Sequence, residues 1–212
     1  MSGEIGDMTL VGHDAMSAPL LKALGVIANH LHPTFNEQEW IRPDWSKQSC
    51  VLCSLTVRDF LRSIGIAADV RPVAAIFRAE AKGEVLHSLG MGHPDSPLVE
   101  DGRWNGHLIV VVPGEGIMID TTLYHADRRQ WRKAMPKMAA IPYGFPEKLK
   151  RVFGLRPFAG LALLDPKDET FEMDILWLDW PQNDVWSSGP DSEEWRRAAV
   201  LMKLRHEFGE QH

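Results

Sequence analysis

The stretch HLIVVVPGEGIMID at residues 107–120 predicts a β-hairpin of two buried strands. Residues 107–112 form a continuous apolar run, which is typical of a buried strand. PGEG at 113–116 carries the proline and glycines of a turn, and IMID at 117–120 forms the return strand. Strands joined in this way are antiparallel, so the hairpin favours an antiparallel sheet.

The register of this hairpin predicts which side chains meet. A turn at PGEG places Val112 opposite Ile117, and counting back along the strands places His107 opposite Thr122. Asp120 lies two residues from Thr122, so it shares a face with His107, because side chains alternate between faces. Diagonal neighbours of this kind are about 7–8 Å apart, within reach of a carboxylate and an imidazole. A loop of odd length or a bulge would place the two side chains on opposite faces.

Other segments extend this picture to the whole chain. Apolar runs predict strands at 67–78, 159–164 and 171–178, and helical spacing predicts helices at 17–31, 49–64 and 191–208, the last capped by Asp191. Residues 79–105 are polar and form either a lid or a hairpin excursion. Because the strands follow one another in hairpins, we expect an α+β fold with a mostly antiparallel sheet. No linker is evident, so we expect a single domain over residues 1–212.

The helix predicted at residues 49–64, SCVLCSLTVRDFLRSI, carries an apolar stripe that includes Cys50 and Cys53. Cys50 falls in its first turn whether Ser46 or Ser49 is the cap, and a helix N-terminus stabilises a thiolate. With His107 as the base and Asp120 to orient it, Cys50 completes a nucleophilic set. Burial as a small hydrophobe is the alternative for either cysteine, and we expect it for Cys53.

These residues also carry a family resemblance. The stretch C-x10-L-R-S-I-G-I-A-A, from Cys50 to Ala68, resembles the nucleophile helix of transglutaminase-like proteins, with the small Ser54 four positions after the cysteine. GHLIVVV and MIDTT resemble the His and Asp strands of that family, so the resemblance covers about residues 45–125. It departs from the family pattern at Ser49, and after the histidine and the aspartate.

The resemblance implies a papain/transglutaminase-like core in which the nucleophile helix packs on the sheet. The segments 17–31 and 159–208 would complete the fold around the core at 45–125. Papain-like thiol proteases and arylamine N-acetyltransferases share the ordered Cys, His and Asp, so the resemblance indicates a superfamily and leaves the substrate open. It implies Cys50, His107 and Asp120 as the catalytic residues.

An acyl-transfer site also needs donors for the developing oxyanion. The backbone N–H of Cys50 is one candidate, and Gln48 or the indole N–H of Trp45 is the second. Aromatic and lid residues are candidates to line the substrate cleft: Trp40, Trp45, Trp104 and His93. Four further tryptophans are assigned to a C-terminal core: Trp177, Trp180, Trp186 and Trp195. His30 and His32 are assigned to the end of the first helix, where a cationic side chain suits the helix dipole.

Composition excludes several classes of function. The net charge of −6 gives no indication of nucleic-acid binding, which favours a clustered basic surface, and the basic stretch at 128–133 is interpreted as a solvated helix face. No apolar run approaches the roughly 18 residues of a membrane span, and the N-terminus does not resemble a secretory signal, so we expect a cytoplasmic protein. A zinc site through Cys50 and Cys53, with His107 or His93, is a weak alternative because a second ligand pair is missing.

The sequence therefore predicts thiol-dependent acyl chemistry on an amide, with a protein or peptide substrate and no metal or organic cofactor. The thioester intermediate would pass to water, as in a peptidase or deamidase, or to an amine, as in an acyltransferase. The alternative is a catalytically silent domain of the same fold that binds a protein partner.

Overall fold

The computed structural model describes residues 2–82, 84–92, 97–100, 103–126, 128, 135–144, 156–165, 168–180 and 182–210. Within these ranges the chain is an α+β fold with a curled, mostly antiparallel sheet. The helices of this part of the chain are α1 (Ala18–Asn36), α2 (Cys50–Ser63) and α3 (Trp195–Glu210). Short 3₁₀ turns lie between them, including Trp45–Gln48 directly before α2.

The strands fall into one large sheet and one small hairpin. The large sheet has the order β1-β2-β9-β8-β7-β3-β11-β10, with β4 also paired to β3, and only β2 and β9 run parallel. Its strands are β1 (Ser2–Ile5), β2 (Met8–Val11), β3 (Asp69–Ala81), β4 (Glu84–Met91), β7 (His107–Val112), β8 (Ile117–Asp120), β9 (Met138–Pro142), β10 (Pro157–Asp165) and β11 (Asp168–Asp179). The separate hairpin pairs β5 (Val99–Glu100) with β6 (Arg103–Trp104).

The β7–β8 hairpin has the predicted register. Val112 pairs with Ile117, and Val110 pairs with Ile119. No bulge shifts the pairing between these residues, so the faces of the two strands alternate as the sequence predicted. Among the described residues of 79–105, β4 pairs with β3 and β5 pairs with β6, both antiparallel, which confirms the hairpin alternative for this part of the chain.

The sheet buries both of its faces, and each face belongs to a different core. Val110 and Ile119 pack with the three helices, in the core that also holds Cys53. Ile109 and Met118 point to the other face and pack with Trp177 inside the curl of the sheet. The β7–β8 hairpin therefore lies between two cores: one formed with the helices, and one enclosed by the curl of the sheet.

Two predicted helix boundaries were wrong. Helix α1 continues past residue 31 to Asn36, with Pro33 inside it. The burial of Leu31 and Phe35 offsets the backbone hydrogen bond that Pro33 removes. Helix α3 begins at Trp195, because Asp191 lies in a separate 3₁₀ turn, Pro190–Ser192.

Three short strands have no counterpart in the sequence prediction. They are β1 and β2 at the N-terminus and β9. Each has five residues or fewer, so its periodicity is too short to distinguish from a loop. The predicted helix face at 128–133 lies outside the described residues, apart from Arg128.

Candidate active site

Helix α2 presents Cys50 as its first residue. The Ser49 hydroxyl caps the helix by accepting a 3.3 Å hydrogen bond from the backbone N–H of Leu52. Cys50 is half-buried, whereas Cys53 is fully buried and its thiol donates a 3.0 Å hydrogen bond to the Ser46 carbonyl. The helix N-terminus therefore presents one thiol to the surface and packs the other, as predicted for Cys53.

The hairpin brings His107 and Asp120 into contact. His107 Nε2 lies 2.6 Å from Asp120 Oδ2, and both side chains are almost fully buried. The other carboxylate oxygen, Oδ1, accepts a 3.0 Å hydrogen bond from the backbone N–H of Thr122 and a 3.4 Å contact from its hydroxyl. The same-face placement predicted from the register is confirmed by this geometry.

The Cys50 thiol also interacts with the His107 ring, and this interaction favours the charged imidazole by raising the pKa of His107. Because Asp120 holds Nε2, the ring nitrogen left for the thiol is Nδ1. The structure therefore places the Cys50 thiol beside the hydrogen-bonded pair of His107 and Asp120.

The electrostatics of the pair favour two charged side chains. Burial of His107 opposes its protonation, but attraction by Asp120, the hydrogen bond with Asp120 and the interaction with Cys50 outweigh it and raise the pKa of His107 to about 10. Burial of Asp120 likewise opposes its charge, while His107 and the donors around it hold the pKa of the carboxyl below its ordinary value. At neutral pH the arrangement is an imidazolium bonded to a carboxylate. Burial raises the pKa of the Cys53 thiol, which keeps that thiol protonated.

Trp177 is a site residue that the sequence prediction missed. Its indole Nε1 donates a 2.8 Å hydrogen bond to Asp120 Oδ2, the same oxygen that His107 contacts. The indole is fully buried, as the assignment to the core predicted, but it also touches the site. Asp120 and Trp177 are far apart in the chain, so no local pattern could have linked them.

Cys50 and His107 line a cleft of about 880 Å³. Four tryptophans share its walls: Trp40, Trp45, Trp104 and Trp186. The prediction that the first three line a cleft is confirmed. The assignment of Trp186 and Trp195 to a C-terminal core was wrong. Trp186 lines the cleft, and Trp195 is 57% exposed and meets the edge of Trp40 at 5.4 Å.

The two oxyanion candidates both lie in this cleft. Gln48 is the last residue of the 3₁₀ turn Trp45–Gln48, two positions before Cys50. The guanidinium of Arg42 lies over the Trp45 ring, 5.1 Å from its centroid. His93, the lid candidate, lies outside the described residues.

A second buried histidine, His32, contacts residues next to the site. The prediction that His32 is a cationic side chain at a helix end was wrong. His32 Nε2 lies 2.8 Å from the Thr121 carbonyl, which can only accept, so Nε2 carries the proton. Nδ1 then accepts from the Ser46 hydroxyl at 2.9 Å. Burial lowers the pKa of His32 to about 4, so it is neutral near pH 7. His32 therefore joins the turn before Cys50 to the residue after Asp120.

Among the residues that the structure describes, no three His, Cys, Asp or Glu side chains are grouped so that they could hold a metal ion. In the same ranges, no helix has the length and apolar character needed to cross a membrane. No family model matches the chain, and neither a curated protein nor a solved structure is significantly similar to it.

Proposed function

We propose that the protein is a thiol enzyme of transglutaminase-like type that cleaves or transfers an acyl group from an amide. The observation that carries the proposal is the hydrogen-bonded pair of His107 and Asp120 with the Cys50 thiol beside it, where Cys50 and His107 line an open cleft. A nucleophile, a base and a residue that orients the base are the parts that covalent acyl chemistry requires.

In the proposed reaction the Cys50 thiolate attacks the amide carbon, and the carbonyl electron pair moves onto oxygen. The backbone N–H of Cys50, at the positive end of α2, and the Gln48 side chain are the candidate donors to that oxygen. His107 gives its Nδ1 proton to the leaving nitrogen as the carbon–nitrogen bond breaks. A thioester remains on Cys50, and a free amine leaves.

The second half restores the enzyme. Neutral His107 takes a proton from water, or from an incoming amine, as the new bond to the thioester carbon forms. The thiolate then leaves, and the imidazolium is present again. Asp120 keeps Nε2 protonated throughout, so that Nδ1 is the nitrogen that exchanges protons.

The fold supports the papain/transglutaminase-like part of the proposal at the level of packing. Helix α2 lies against β7, so the thiol-bearing element and the His strand are neighbours. The walls of the cleft suit an extended chain with apolar or aromatic side chains, because indoles provide large rigid contact surfaces. We therefore propose a peptide or protein substrate.

The test measures alkylation of the full chain by iodoacetamide, with the modified cysteine identified by mass spectrometry. We expect Cys50 to react at pH 6–7 much faster than free cysteine, and His107→Ala to abolish the advantage. Cys53→Ser is the matched control, since it changes the buried thiol and should leave the rate unchanged.

Reaction of Cys50 no faster than free cysteine, with no effect of His107→Ala, would overturn the proposal. That outcome would favour a catalytically silent domain whose cleft binds a protein partner.

A further inference from the structure

We infer that Trp177 is a positioning residue of the active site, which holds the Asp120 carboxylate in the orientation that His107 needs. The inference rests on the proposed function and extends it to a residue from the C-terminal part of the chain. It depends on the contact of Trp177 Nε1 with Asp120 Oδ2 at 2.8 Å.

The contact completes the hydrogen bonding of the carboxylate. Oδ2 accepts from His107 Nε2 and from the indole, while Oδ1 accepts from the backbone and hydroxyl of Thr122. An ionised carboxylate offers about four lone-pair positions, so these four donors fill them. Rotation about the terminal bond of Asp120 would break contacts on both oxygens together.

The indole reaches Asp120 across the inside of the curled sheet. β11 and β8 are separated in the sheet by β3 and β7, which is about 14 Å along a flat sheet at ordinary strand spacing. Trp177 pairs with Ala75 on β3, and its ring lies in the core that the curl encloses. The curl therefore brings the indole N–H of β11 to a carboxylate on β8, across the two strands that separate them in the sheet.

Loss of this donor has a specific consequence for a buried carboxylate. A charged group that loses a hydrogen bond without access to water is harder to ionise and freer to turn. Within the described part of the chain, the ionisable side chains that interact with Asp120 are His107 and Cys53, and Cys50 interacts in turn with His107. Weaker ionisation of Asp120 lowers the electrostatic support of the imidazolium that lies beside Cys50.

The experiment compares Trp177→Phe with the matched control Trp180→Phe in the full chain. Both replacements remove an indole N–H from a buried ring, but Trp180 Nε1 has no hydrogen-bond partner among the described residues. We measure the rate of Cys50 alkylation by iodoacetamide from pH 4 to pH 9. In Trp177→Phe we expect a plateau rate about ten-fold lower and an acid limb moved to higher pH. Trp180→Phe should keep the wild-type profile.

A folded Trp177→Phe protein with the wild-type plateau and acid limb would overturn the inference. So would equal changes in both variants, because they would indicate a packing effect. If Cys50 of the wild type reacts fast and Trp177→Phe has the same profile, only this inference is overturned. If Cys50 of the wild type reacts no faster than free cysteine, the proposed function is overturned as well.

A second measurement covers the case in which Trp177→Phe does not fold. The Trp177 indole N–H is followed by NMR hydrogen exchange in the wild type and in Asp120→Ala. We expect exchange at least ten-fold faster in the variant, since the indole has lost its acceptor. Equal exchange rates would show that the indole does not depend on Asp120, and would overturn the inference.

Discussion

The Ser54 hydroxyl donates a 2.7 Å hydrogen bond to the backbone carbonyl of Leu108. Ser54 lies about one helical turn after Cys50, and Leu108 directly follows His107. The bond is buried and joins α2, which carries Cys50, to β7, which carries His107.

We expect Ser54→Ala to lower the free energy of unfolding by about 1–2 kcal/mol, because the buried carbonyl loses its side-chain donor. Cys50 alkylation should also slow, since α2 can then shift along β7. Urea unfolding and iodoacetamide kinetics measure the two effects. Ser63→Ala is the control, because that hydroxyl bonds only to the Phe60 carbonyl of its own helix. Equal losses in the two variants would argue against a special role for the Ser54 contact.

Asp120→Asn should reverse the direction of the His107 pKa shift. Without the carboxylate, burial dominates and places the pKa of His107 below its ordinary value instead of at about 10. The raised pKa contributes stability that is present below about pH 6.5 and is lost as the pH rises through about 10. The wild type should therefore lose stability from pH 7 to pH 10 through this group, and the variant should not.

An NMR titration of the His107 ring, with urea unfolding at pH 7 and pH 10, measures these effects. Asp69→Asn is the control, since this carboxylate is exposed and pairs with Arg62. A His107 pKa that stays high in Asp120→Asn would contradict the electrostatic account.

His32 should make the protein sensitive to acid. Burial is the largest cause of its low pKa of about 4, aided by Lys47 and opposed by the Thr121 hydrogen bond. Between about pH 6.5 and pH 4 the unfolded chain binds a proton at this position and the folded chain does not, so stability falls as the pH is lowered. The full effect is about 3 kcal/mol.

Urea unfolding at pH 7 and pH 4.5 checks this prediction in the wild type and in His32→Gln. The variant should start less stable at pH 7 and lose less on acidification. His30→Gln, on the same helix, leaves His32 in place and should keep the wild-type acid response. An unchanged acid response in His32→Gln would assign the effect to other groups.

Gly106→Ala should displace Trp104 from the wall of the cleft. A Cβ at this position would lie 2.2 Å from the Trp104 ring, so the indole has to move. We expect greater quenching of tryptophan fluorescence by acrylamide and a stability loss of about 1–2 kcal/mol. Gly114→Ala is the control, because nothing lies within 4 Å of the added Cβ. Identical fluorescence in the two variants would place Trp104 elsewhere.

The predictable part of the site is local in sequence. The two-residue period of β7 and β8 with their short turn gave the contact of His107 with Asp120, and the apolar stripe of α2 separated Cys50 from Cys53. Both signals can be read from sequence because side chains repeat every two residues along a strand and every 3.6 residues along a helix.

The unpredicted part depends on residues far apart in the chain. Trp177 is a large apolar side chain in an apolar strand, so the sequence predicts only that it is buried. The curl of the sheet is what brings its indole N–H to Asp120. His32 likewise lies in an amphipathic helix that continues through Pro33, where tertiary burial overrides the helix-breaking tendency of proline. Trp186 and Trp195 show the opposite error, because the sequence predicted them to be buried and the structure places them at the surface. Aromatic residues occur on functional surfaces as well as in cores, so residue type alone does not separate the two.

The reach of Trp177 across the sheet also has a consequence for the order in which the chain is made. The donors to Asp120 come from His107, Thr122 and finally Trp177, which a ribosome adds 57 residues after the aspartate. Synthesis proceeds from the N-terminus, so the nascent chain holds the thiol, the imidazole and the carboxylate before the last donor exists. The carboxylate therefore has all four of its donors only after β11 has been synthesised and has joined the sheet.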